Sequence, residues 1–226
     1  MNLTDEYNHL WEKSLTKFKA GEFELDPFID SPDDNRFGIT LLLRPDRKTK
    51  EKIGQFLQEL QKIEPEQYYY PTSDIHVTIM SIISCYPGFD LENIEVNQYT
   101  SLFKNLISNM KPIEIAFNGI TASPSCILVQ GFPSNNLNEL RNRIRASFKS
   151  SQHFQSIDKR YSIRTAHCTV ARFKSPLKRN EEFIKQLIRC KNADFGVSKI
   201  DEVELVYNDW YQRKNKVKVL STFSLK

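Results

Sequence analysis

Two halves of this chain repeat one order of apolar segments, and a matching short motif falls in the same segment each time. In the first half, residues 37–43 (FGITLLL) form an apolar, strand-like run that ends at Arg44-Pro45. Residues 48–63 are amphipathic, with Ile53, Phe56, Leu57, Leu60 and Ile63 at helical spacing. Residues 75–83 (IHVTIMSII) are rich in β-branched side chains and read as a strand. A helix over 99–110 and a strand over 113–120 complete the half. The second half opens with the apolar run 126–129 before Pro133, followed by a helix over 136–148 with Leu137, Leu140, Ile144 and Phe148 inward. Residues 163–173 (IRTAHCTVARF) are the strand matching 75–83; a helix over 181–189 and a strand over 203–207 follow. A last strand over 217–223 is expected to form a hairpin with 203–207 across the polar turn Arg213-Lys214-Asn215-Lys216.

The predicted order is strand–helix–strand–helix–strand, twice. It divides the chain into a helical extension and connector over 1–36 and a two-lobed domain over 37–226. The repeats run over about 37–121 and 125–208, with a closing strand at 217–224. In the extension, Thr4 is a candidate cap, and Tyr7, Leu10, Trp11 and Phe18 recur near helical spacing, as for a helix packed on the core.

The repeated motif is His76-Val77-Thr78-Ile79 and His167-Cys168-Thr169-Val170, about 90 residues apart. In a strand, His and Thr two positions apart share a face, while the residues between point the other way. Each motif then displays a base beside a hydroxyl. Two such strands related by a pseudo-twofold bring both imidazoles to one cleft. That arrangement suits phosphoester cleavage, with one neutral His taking a proton from the attacking oxygen and one protonated His giving a proton to the leaving oxygen. An ordinary histidine pKa of ~6.5 makes both forms accessible near neutrality. Threonine hydroxyls can hydrogen-bond the non-bridging phosphate oxygens. Neither motif says which histidine is the acid.

These residues resemble the 2H phosphoesterases, named for two His-x-Thr/Ser motifs, and in particular the bacterial and archaeal RNA 2′,3′-cyclic phosphodiesterases, also called 2′-5′ RNA ligase-like proteins. The resemblance covers most of residues 37–224 and is closest over His167-Cys168-Thr169-Val170-Ala171-Arg172. It implies an α+β, bilobal duplicated fold, with two antiparallel-rich β-sheets flanking a central cleft and helices packed outside. It also implies that His76 and His167 are the acid/base pair, Thr78 and Thr169 the phosphate ligands, and Arg172 a substrate contact. Arg172 lies five positions after His167, so strict alternation sends it to the opposite face unless a bulge re-aims it or it sits past the strand end. The first motif departs from the branch at Ser81, where an aromatic residue is common, which leaves less to read an RNA base. The implied activity is metal-independent opening of a cyclic phosphodiester, on an RNA end or a small nucleotide. A binding module without turnover and a 2′-5′ RNA ligase are the alternatives.

Net charge is +4, which tolerates an anionic substrate. Arg160, Tyr161 and Arg164 lead into the second motif and are candidates for the cleft wall, whereas Tyr68-Tyr69-Tyr70 read as packing residues, with stacking on a base as the alternative. His9 and His153 sit among polar neighbours and read as surface residues. Cys85, Cys126, Cys168 and Cys190 are scattered as buried free thiols are, without the spacing of a zinc site. No cofactor or metal is expected, and the partner is a nucleotide or RNA end carrying a cyclic phosphate. No apolar run approaches the ~20 residues a membrane helix needs, so a cytoplasmic monomer is the expectation.

Overall fold

The computed structural model describes residues 2–226. Helix α1 (Leu3–Lys19) is capped by Asn2, whose Oδ1 accepts from the Asp5 N–H at 2.9 Å, and Thr4 lies inside the helix. Its Tyr7, Trp11, Ser14 and Phe18 fall on one buried stripe. The first half then runs β1 (Arg36–Leu43), α2 (Arg47–Ile63), a two-residue β2 (Tyr68–Tyr69), β3 (Val77–Pro87), α3 (Val96–Ile107) and β4 (Ile113–Ser123). The second runs β5 (Cys126–Pro133), α4 (Asn135–Ser150), β6 (Cys168–Arg172), α5 (Asn180–Arg189), β7 (Asp194–Ile200), β8 (Glu202–Asp209) and β9 (Lys218–Ser224). Asp46 starts α2 by accepting the Thr49 N–H at 2.8 Å, and Thr49, Ile53, Phe56, Leu57 and Leu60 form its buried face.

Two antiparallel sheets result, one in the order β3-β1-β8-β9 and the other β2-β6-β5-β4-β7. The halves interlock. Strand β4 of the first half sits between β5 and β7, and β8 of the second half sits between β1 and β9, so each half gives strands to the other's sheet. Helix α2 follows β1 yet packs on β7 and β6, while α4 follows β5 yet packs on β3, so the helices cross over too. Helices α1 and α5 join α2 on the five-stranded sheet, and α3 lies with α4 on the other.

Two expectations need correction. Strand β7 was not anticipated, because only Phe195, Ser198 and Ile200 of its seven residues are buried and Asp194, Gly196 and Lys199 interrupt any apolar run. The strand expected over 163–173 is reduced to β6. Upstream of it, side chains take the backbone groups a neighbouring strand would have paired. Arg145 binds the Ile163 carbonyl, Arg141 those of Arg164 and Thr165, and the Tyr7 hydroxyl accepts the Ala166 N–H. His76 and His167 therefore each lie one residue ahead of a strand rather than within it.

Candidate active site

Strand β3 is an edge of one sheet, and β6 is covered in the other only by the two-residue β2, so the two motif strands meet where the sheets face each other. Between them lies a cleft of about 520 Å³. His76, Thr78, His167, Thr169 and Arg172 all line it, as do Arg160, Tyr161 and Arg164. Within each motif the intervening residues, Val77 and Ile79 or Cys168 and Val170, are buried on the opposite side.

The position of Arg172 has a specific cause. The pairing of β5 with β6 runs Leu128↔Thr169 and then Ile127↔Ala171, skipping Val170, so a bulge turns Arg172 back to the face of His167 and Thr169. The pairing of β1 with β3 runs Leu42↔Thr78 and then Leu41↔Met80, skipping Ile79, the equivalent residue of the first motif. Matched bulges make Ser81 the counterpart of Arg172, and both face the cleft. Arg172 is held there by Tyr70, whose hydroxyl accepts its Nε–H at 2.9 Å. The other two tyrosines pack, as expected: Tyr69 donates to the Glu64 carbonyl, and Tyr68 sits against Tyr70 and Tyr211.

Each histidine is anchored through Nδ1 by a residue two positions upstream. His76 Nδ1 lies 2.7 Å from the Asp74 carbonyl, and His167 Nδ1 lies 2.7 Å from the Thr165 hydroxyl. A carbonyl can only accept, so His76 Nδ1 carries a proton and its neutral ring presents a lone pair at Nε2. The Thr165 hydroxyl can donate or accept, so His167 can present either a lone pair or an N–H at Nε2. Neither Nε2 has a partner among the described residues. Burial pushes both imidazoles down to about 4. The Asp74 carbonyl opposes the fall at His76, where Arg44 and Arg172 add to it; at His167, Arg141, His76 and Arg172 add to burial.

Arg141 was not foreseen, and it ties the two motifs together. It is 1% exposed on α4, and its Nε and Nη2 donate to the Ile79 and Thr78 carbonyls at 3.0 Å each. Its Nη1 and Nη2 also reach the Arg164 and Thr165 carbonyls at 3.2 and 2.8 Å. One guanidinium thus spans the bulge of the first motif and the residues leading into the second. Burial lowers its pKa to about 10, which leaves it charged at neutrality. Tyr7 supports the same place, donating to the Gly131 carbonyl at 3.0 Å and accepting the Ala166 N–H at 3.1 Å. A signal for Arg141 existed in the sequence, since it falls on the stripe Leu137, Arg141, Ile144, Phe148 of an otherwise apolar helix face.

His9 is exposed, whereas His153 is half-buried and packs at a tilt against Tyr99, with ring centroids 5.3 Å apart, correcting its surface assignment: polar neighbours along a loop do not fix where a ring packs. All four cysteines are free, with Cys126 and Cys168 buried. Among the described residues no three His, Cys, Asp or Glu side chains are grouped to hold a metal ion, and no helix is long and apolar enough to cross a membrane.

The fold has solved relatives. A Thermus thermophilus protein, TT0787, is similar over 83% of this chain and 97% of its own, with a TM-score of 0.57 and 16% identity. Escherichia coli LigT, solved with 3′-AMP, is similar over 84% of this chain and 99% of its own, at TM-score 0.55 and 12% identity. A conserved Agrobacterium tumefaciens protein, ATU0111, covers 92% of this chain and 99% of its own, at TM-score 0.54 and 12% identity. No curated protein matches the sequence. The sequence profile described as the 2′-5′ RNA ligase superfamily matches residues 45–210, a stretch that contains both His-x-Thr motifs and the strands that carry them. The chain belongs to the 2′-5′ RNA ligase superfamily, the 2H phosphoesterases.

Proposed function

We propose that this cleft opens a cyclic phosphodiester, the 2′,3′-cyclic phosphate of an RNA end or of a small nucleotide, without a metal ion. The observation that carries the reading is the paired anchoring of two imidazoles, each fixed through Nδ1 with Nε2 left for substrate, beside matched threonines. His76 is the general base. Its carbonyl partner fixes the tautomer with a lone pair at Nε2 and supports the imidazolium formed when that nitrogen takes a proton from water. The water oxygen attacks phosphorus, one ring P–O bond breaks, and the ribose oxygen that leaves takes a proton from His167 Nε2. His167 suits the acid role once substrate is bound: the phosphate charge favours its imidazolium, the Thr165 hydroxyl can accept the Nδ1–H, and burial makes the Nε2 proton easy to give up. Thr78 and Thr169 hold the non-bridging oxygens, and Arg172, fixed by Tyr70, meets the phosphate charge. LigT, a fold relative, has been solved with 3′-AMP and with phosphate, ligands of the kind this arrangement suits.

A turnover screen with 2′,3′-cyclic nucleotides, cyclic-phosphate RNA ends and 2′-5′-joining substrates, each with and without EDTA, tests this. The expected result is ring opening that chelation leaves unchanged. Activity lost on chelation and restored by zinc or manganese overturns the metal-free mechanism. Joined 2′-5′ products without ring opening favour the ligase reading.

The depressed histidines make a second expectation. With both near 4, both rings are neutral in the free protein at about pH 6. A phosphate dianion between them favours the imidazolium, so at least one pKa rises on binding. Binding of a phosphate monoester should therefore take up protons at about pH 7 and tighten as pH falls from about 7 toward about 6, below which the monoester itself is protonated and the uptake fades. Calorimetry in two buffers of different ionisation heat measures the uptake. No uptake would mean that neither ring meets the phosphate.

A further inference from the structure

The end of β8 and the turn that follows it bring Asn208, Trp210 and Gln212 to the cleft wall, beside Arg160. Trp210 lines the cleft, and three guanidiniums surround its ring, with Arg160 at 4.5 Å, Arg36 at 5.1 Å and Arg172 at 6.0 Å from the centroid. Arg36 is fixed by two hydrogen bonds to the Asp34 carboxylate, but Arg160 is exposed and has no hydrogen-bond or ion-pair partner among the described residues. Asn208 and Gln212 line the same cleft while only 2% and 5% exposed, and each has a buried carboxamide oxygen without a partner. Asn208 Nδ2 donates to the Asp209 carbonyl at 2.8 Å, which sets its amide with Oδ1 as the free end. Gln212 also holds φ at 60°, a left-handed backbone that a residue with a Cβ adopts at a cost.

Buried acceptors without donors are expensive, and in native proteins they concentrate where something else supplies the donor. Among the described residues four buried side-chain polar atoms have no hydrogen-bond partner, and three of them fall within five residues, on Asn208 and Asp209 at the end of β8 and on Gln212 in the turn after it; Asp209 Oδ2 faces Arg213 at 3.6 Å, which leaves the two carboxamide oxygens unmatched. An aromatic ring covered only by an arginine that no hydrogen bond or ion pair holds in place, beside acceptors in want of N–H groups, describes a site for a flat ring with amino substituents. We propose that Trp210, Gln212, Asn208 and Arg160 form a nucleobase subsite, in which Arg160 yields its place over the Trp210 ring and an amino-bearing base stacks there and donates to the two carboxamide oxygens. This rests on the reading of the cleft as a phosphate site, and it assigns the base contact to the turn after β8, away from Ser81.

Binding without turnover separates the two readings. The probes are adenosine 2′-monophosphate, uridine 2′-monophosphate, ribose 5-phosphate and inorganic phosphate, followed by calorimetry. The adenosine ligand should bind about 5- to 150-fold more tightly than ribose 5-phosphate, the range one stacked base supplies. It should also exceed the uridine ligand, which lacks an amino group. Trp210→Ala should abolish the advantage over ribose 5-phosphate and leave inorganic phosphate binding unchanged. Trp210→Phe, which keeps a ring, should retain most of it. Should Trp210→Ala fail to fold, Gln212→Met removes one acceptor at nearly constant shape, and it should shrink the preference for adenosine over uridine. Phosphate-bearing ligands bound equally with or without a base overturn the subsite and leave the phosphate site standing. Wild-type protein that binds none of the four overturns both.

Discussion

Alanine in place of His76 or His167 should each lower kcat for ring opening by about 10²–10⁴, the usual contribution of one general acid or base. The double variant should lose far less than the product of the two losses, because a base without its acid partner retains little to contribute. The roles separate in the leaving group. If His167 protonates the departing oxygen, a substrate with an acidic leaving group, such as a nitrophenyl phosphodiester, should largely rescue His167→Ala and leave His76→Ala impaired. Equal rescue of both variants would reject the assignment. Folding is expected to survive, because both rings are half-buried at the cleft and no strand pairing passes through them. Their pH signature has a definite sign. Each ring is held neutral, near 4 in the folded chain against ~6.5 unfolded. Between those values the unfolded chain binds more protons, so stability falls as pH falls. Each alanine variant should lose less stability than wild type between about pH 7 and about pH 5, as read from denaturant midpoints.

Much of this site was legible in the sequence because two of its ingredients are local. A His and a Thr two apart share a face wherever the backbone is extended, and a repeated element order says that two such faces can be related by symmetry. Arg172 marks where local reasoning stops. Its side is decided by a bulge at Val170, and bulges belong to the pairing of two strands, not to either alone. The matched bulge at Ile79 was hidden for the same reason. Strand exchange between the halves is likewise a matter of partners: nothing in residues 113–123 states that β4 will lie beside β5 rather than beside β1. The Trp210 turn was missed because its peculiarity is a set of unmet hydrogen bonds, which exist only once the chain is folded.

Arg141 is not among the residues that line the cleft, yet it binds both motifs. Its charge is buried without a carboxylate, and its four hydrogen bonds all go to backbone carbonyls. Two belong to the first motif strand and two to the residues ahead of the second histidine, so the separation of the imidazoles is set through one planar group. Arg141→Met should cost about 2–4 kcal/mol of stability, since it leaves several carbonyls buried and unmatched. It should also cost about ten- to a hundredfold in kcat with little change in KM, as expected when catalytic groups drift by about 1 Å. A purely structural role would stop there. The geometry demands more, because the Arg141 charge also holds the His167 imidazolium down, second only to burial. Removing that charge should raise the pKa of His167, which nitrogen-15 NMR titration of the labelled ring reads directly. Arg141→Lys divides the two effects. An ammonium keeps the charge but cannot span four carbonyls as the guanidinium fork does. The lysine variant should therefore leave His167 titrating near its wild-type value while kcat still falls. If instead lysine restores kcat, charge alone matters and the tether is irrelevant. If methionine changes neither kcat nor the titration of His167, Arg141 serves the packing of α4 and nothing more.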